Sequence, residues 1–119
     1  MTETERLTAE LEKTAIPEYM RSSVIGYLTG EQPYVGSFLD ALLKNDLKRT
    51  VIRADPGNAA ALKDWVRFLF DTAPHTCWGS PEKVRDWQLA CTRELAAGAL
   101  DNRELIDAKE LLAGRRSAP

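Results

Sequence analysis

The chain has 119 residues, 44% of them apolar and 29% charged, with a formal net charge of −2. That length fits one domain, buries enough surface to fold without metal or disulfide, and has a globular composition that excludes disorder away from the ends. The near-neutral charge argues against a general nucleic-acid or membrane-surface binder, no apolar run approaches the roughly 20 residues of a membrane span, and residues 1–11 lack the apolar core of a signal peptide.

Every well-marked segment has helical rather than alternating periodicity, and no Val/Ile/Thr-rich alternating run suggests a sheet. The first expected helix covers residues 4–14, with Leu7 and Leu11 on one thin apolar stripe, so it is expected to fray or dock loosely. Pro17 suits the first turn of a second helix, where its missing N–H costs nothing. That helix carries Tyr19, Met20, Val24, Tyr27 and Leu28, and Gly30 ends it. Residues 30–36 (GEQPYVG) read as a turn, and residues 37–43 as a short helix with Phe38, Leu39, Leu42 and Leu43 together.

Asn45 or Asp46 can cap the next helix, at 46–54, which is expected to turn Leu47, Val51 and Ile52 inward. Asp55-Pro56-Gly57-Asn58 is the strongest turn signal, with Asn58 placed to cap the helix after it. Residues 59–73 form the clearest helix. Leu62, Trp65, Val66, Leu69, Phe70 and Ala73 recur at steps of three and four, one wide apolar face expected at the centre of the core. Pro74 ends it.

The link of His75, Thr76, Cys77, Trp78 and Gly79 leads to Ser80-Pro81-Glu82, a cap, a first-turn proline and a first-turn acid in order. Val84, Trp87, Cys91 and Leu95 carry that helix inward to residue 97. A last helix is expected at 101–113, with Leu105, Ile106 and Leu112 on its apolar side. The whole is read as an all-α, compact bundle of five or six short helices. It forms a single domain over residues 1–114, with its core block at 16–97 and a frayed tail at 115–119.

The residue types argue against an enzyme. There is one histidine, His75, whereas metal sites and Ser-His-Asp arrangements need histidine with partners. Cys77 and Cys91 read as reduced, buried residues. No P-loop, dinucleotide-binding glycine pattern or EF-hand loop is present. The acid pairs Asp40/Asp46, Asp55/Asp64 and Glu82/Asp86 are explained by helix capping and dipole effects. No catalytic residue, metal or cofactor is expected.

Two features remain for binding. Lys44, Lys48, Arg49 and Arg53 recur at helical spacing and form either an anion-facing surface or a solvated face balanced by Asp40, Asp46 and Asp55. Trp78 and Tyr34 sit in Pro/Gly-bounded links, where an aromatic ring is either tucked over the end of the core or exposed as an anchor. If one is exposed, Trp78 is the first choice, because its link is short.

Beyond these separate signals, a long ordered string resembles a widespread family of short hypothetical proteins encoded by bacteriophages, prophages and mobile elements. It begins Ile16-Pro17-Glu18-Tyr19-Met20 and continues through Tyr27, Gly30, Gly36-Ser37-Phe38-Leu39, Ala41, Leu43, Asn45-Asp46-Leu47 and Arg53-Ala54-Asp55. Asn58, Leu62, Phe68, Pro74, Cys77-Trp78-Gly79-Ser80-Pro81-Glu82 and Trp87 complete it, over about sixty per cent of the chain. The family tends to place Pro-Gly directly before its Ser/Phe-Leu segment, whereas here Tyr34-Val35-Gly36 comes after Pro33. The segment from Ala90 onward is particular to this chain.

The resemblance implies a genomic setting rather than a reaction. The expectation is a non-catalytic accessory protein, cytoplasmic in a bacterial host, that binds a host or phage protein and modulates it. One alternative is a small-ligand binder, such as a sponge for signalling nucleotides, with Arg and Lys on phosphates and an aromatic ring on the base. The other is a DNA-binding regulator, although only residues 46–54 offer a recognition helix and nucleic acid is disfavoured as a partner. No membrane partner is expected, and the sequence leaves a homodimer open.

Overall fold

The computed structural model describes residues 2–97, with side chains as far as Glu94. Among the described residues it is an all-α helical bundle of seven helices. These are α1 (Glu3–Glu12), α2 (Glu18–Thr29), α3 (Ser37–Leu43), α4 (Leu47–Arg53), α5 (Pro56–Ala60), α6 (Leu62–Thr72) and α7 (Pro81–Ala97). The helix expected at 101–113 and the tail at 115–119 lie outside the described residues, as does the side chain of Leu95. No helix among them is long and apolar enough to cross a membrane.

α1 starts at Thr2, whose hydroxyl accepts the Glu5 N–H at 3.1 Å, with Glu3 and Glu5 in its positive first turn. Its thin stripe is not loosely docked, as expected, but buried: Leu7 and Leu11 are enclosed against α2 and α6. The Asp64 carboxylate accepts the Ala15 N–H at 2.6 Å and ties the end of this segment to α6. Two leucines suffice because they fill a notch between two other helices rather than cover a surface. α2 ends at Gly30, whose φ of +83° is open to glycine without strain, and a Cβ there would stand 3.1 Å from Cys91 Sγ.

The stretch expected as one helix at 59–73 is two, which raises the count above five or six. Asp55 Oδ1 accepts the Asn58 N–H at 2.8 Å and Pro56 takes the first position of α5, so the expected turn is a helix start. The chain breaks at Ala61 and restarts as α6 without a side-chain cap. Asn58 does not cap the later helix. It is buried inside α5, and its Oδ1 accepts the indole N–H of Trp65 at 3.1 Å.

That bond sets the rotation of α6. Trp65, Phe68 and Leu69 face inward, while Val66 and Phe70, expected in the core, stand 48% and 63% exposed. Trp65 is fully enclosed and meets the ring of Phe38 edge-on at 5.9 Å. The second anchor is Tyr27, also fully enclosed. Its hydroxyl donates to the Cys77 carbonyl at 2.5 Å, and its own carbonyl accepts the Trp87 indole N–H at 2.8 Å. These bonds join α2, the link after α6 and α7 through polar groups that are buried or half-buried at the core.

Candidate docking surface

α3 and α4 meet through a turn that decides which side chains are offered to solvent. Asn45 adopts φ +61°, the left-handed conformation that asparagine tolerates better than most residues. The Asp46 N–H donates to the Ala41 carbonyl at 2.9 Å and the Asn45 N–H to the Leu42 carbonyl at 3.1 Å. This pair of bonds is the Schellman closure of a helix. Asn45 therefore ends α3, and Asp46 alone caps α4, its Oδ1 accepting the Arg49 N–H at 3.1 Å.

With direction and phase set this way, α4 lies against α3 on Thr50, the one residue of the helix that is buried. The Thr50 hydroxyl donates to the Asp46 carbonyl at 2.6 Å, so it enters the contact with its polarity satisfied. The inward placing expected of Leu47, Val51 and Ile52 is overturned: they stand 76%, 55% and 68% exposed. At about 100° per residue, the remaining side chains form three parallel rows along the helix. Leu47 and Val51 make an apolar row, Lys48 and Ile52 a mixed crest opposite Thr50, and Arg49 and Arg53 a basic row.

The expected balance of this charge by Asp40, Asp46 and Asp55 is only partial. Asp40 pairs with Lys44 at 3.0 Å and reaches Arg49 only at 4.0 Å, and Asp46 stands 3.9 Å from Arg49. Asp55 is committed elsewhere. It accepts the Tyr19 hydroxyl at 2.6 Å together with the Asn58 N–H, and these bonds hold its carboxyl below the usual range while the shared proton of Tyr19 is held above its own. Lys48 and Arg53 are exposed and make no ion pair among the described residues. Lys44 belongs to the end of α3 and is absorbed by its bridge to Asp40.

The two loop aromatics part company. Trp78 is half-buried and packs against the core, so it is tucked rather than presented as an anchor. Its link is pinned on both sides of the ring: Cys77 by Tyr27, and Gly79 by an N–H bond of 2.7 Å to the Leu43 carbonyl. The indole N–H of Trp78 is itself buried and meets no acceptor among the described residues. Tyr34 is 59% exposed, and its hydroxyl accepts a 3.4 Å bond from Thr92 on α7.

Both cysteines are buried, and burial pushes the Cys77 thiol up to about 12, far from the range of an activated nucleophile. His75 is exposed and stacks edge-on against Phe70 at 5.5 Å. Among the described residues no group of three or more His, Cys, Asp or Glu side chains is placed to hold a metal ion.

Sequence reasoning singled out the cations of α4 but missed that its apolar residues share their surface. The available signal was the α3–α4 turn: an Asn-Asp pair after a run of leucines closes one helix and opens the next, which resets the phase. The exposed Val66/Phe70 row on α6 was missed for the same reason, at the Ala61 break. Comparison of the chain with family models, curated proteins and solved structures finds no match.

Proposed function

We propose that this chain is a non-catalytic accessory protein that works by docking onto another protein, with the solvent face of α4 as its contact surface. One observation carries the reading. A seven-residue helix exposes three large aliphatic side chains beside three cations and buries only a threonine. Isolated exposed aliphatics need no explanation, but three on one short helix leave apolar area that the described residues do not cover. The resemblance of residues 16–87 to short mobile-element proteins suggests a host or phage protein as the partner, in a bacterial cytoplasm.

A nucleotide ligand draws less support, because Trp78, the first choice for an exposed ring, is packed on the core. A duplex-DNA reader draws less again. Leu47, Val51 and Ile52 interrupt the cations of α4, and the charge of the whole chain is −2.

The test is capture of a partner from bacterial lysate on the immobilised full chain, its identification by mass spectrometry, and reconstitution with the purified partner. The double variant Val51→Ser/Ile52→Ser is expected to keep the wild-type melting temperature within a few degrees and to lose the partner. Equal retention by wild type and variant, or no reconstituted complex, would remove α4 as the docking surface.

A further inference from the structure

Taking α4 as the docking surface, we infer that its occupant is an acidic amphipathic helix of the partner protein. The argument starts from the three rows. Leu47/Val51, Lys48/Ile52 and Arg49/Arg53 are each i, i+4 pairs, so they run side by side along the helix as ridges. The commonest way for two helices to pack sets the i, i+4 ridges of one into the grooves of the other. A partner helix with an apolar i, i+4 row beside an acidic one matches this pattern row for row. Its aliphatic side chains cover Leu47, Val51 and the Ile52 stem, and its carboxylates meet Arg49, Arg53 and Lys48.

The charge to be met is available. Lys48 and Arg53 make no ion pair among the described residues, Arg49 meets its two carboxylates only at 3.9 and 4.0 Å, and the one carboxylate just past the helix, Asp55, is held by Tyr19 and Asn58. A neutral apolar partner would bury those cations without compensation, which opposes binding. An acidic helix turns the same cations into attraction and faster encounter.

The other anionic occupants fit less well. An interfacial membrane helix keeps a broad apolar face clear of its cations, whereas on α4 Lys48 sits between Val51 and Ile52 around the helix, at the crest that would enter the bilayer. A nucleic-acid backbone would set phosphates against Leu47, Val51 and Ile52. The patch spans about 10 Å of helix, so the contact falls at the small, transient end of protein interfaces.

The experiment uses the full chain and two fluorescein-labelled helical peptides of three to four turns. Both carry leucine in one i, i+4 row, with glutamate in the neighbouring row of one and lysine in that of the other. Anisotropy titrations up to about 1 mM cover the weak end of the range. The glutamate peptide is expected to bind at least about tenfold more tightly than the lysine peptide and to weaken as salt rises. Lys48→Glu/Arg53→Glu is expected to reverse that preference, and this gain of lysine-peptide binding cannot come from misfolding. Ile52→Ser is expected to weaken the preferred peptide in either background.

Equal binding of both peptides, lost with Ile52→Ser, would overturn the acidic partner and leave the docking surface standing. Binding that no α4 variant alters would overturn both. Binding of phosphatidylserine vesicles or duplex DNA through Lys48 and Arg53, with neither peptide bound, would overturn the protein helix in favour of that polyanion.

Discussion

Replacing Ile52 by alanine separates the two placements of α4 by their effect on stability. If the aliphatic residues of this helix faced inward, the change would open a core cavity and cost about 2–5 kcal/mol, as buried isoleucine or leucine to alanine does. In the structure Ile52 is 68% exposed, so only about a third of its side-chain burial is at stake. Full burial of such a side chain is worth about 1.5–3 kcal/mol, so the loss is roughly 0.5–1 kcal/mol. The better helix propensity of alanine offsets a few tenths of that. Leu43→Ala is the matched control, because Leu43 is the last residue of the preceding helix, α3, and is fully enclosed; it should cost about 2–5 kcal/mol. Urea denaturation monitored by circular dichroism measures both, with unchanged m-values as the sign that the unfolded reference is shared. In melting temperature, Ile52→Ala should shift the midpoint by less than about 4 °C and Leu43→Ala by about 8 °C or more. A loss of about 2 kcal/mol or more for Ile52→Ala would refute the exposed face, and the docking surface with it.

Three further expectations rest on the polar groups of the core. Asn58→Ala should cost about 1–3 kcal/mol by urea denaturation, because it strips the acceptor from the buried Trp65 indole N–H. Trp78→Phe should be neutral or slightly stabilising in the same assay, because it keeps a ring against the core and deletes a buried N–H that meets no acceptor among the described residues. Cys77 and Tyr27 are both raised above their ordinary values, chiefly by burial, so the folded state holds their protons more tightly than the unfolded state. The Cys77 contribution is fully present below about pH 9 and is lost as pH climbs toward about 12, with Tyr27 adding to the loss at the upper end. A denaturation series in that window should show a steep fall for wild type and a shallower one for Cys77→Ala.

By itself, the sequence determined the class of fold and most helix boundaries, because those rest on local physics. Apolar residues at steps of three and four require helices, and Pro17, Gly30, Asp46, Pro74 and Pro81 mark starts and stops within a turn of their own positions. The cations of α4 were legible for the same reason, since charge is a property of residue type. Which face of α4 and of α6 meets the core was decided only by the tertiary structure. On α4 the Asn45 closure and the contact with α3 choose Thr50 over three aliphatic residues. On α6 the Ala61 break and the Trp65–Asn58 bond choose Phe68 over Val66 and Phe70. Trp78 is tucked in because α2 and α3 reach across to bind its neighbours, Cys77 and Gly79, from 50 and 36 residues away. A periodic pattern states that an apolar stripe exists; the turns and long-range bonds that orient the helix select which stripe is buried and which is left for a partner.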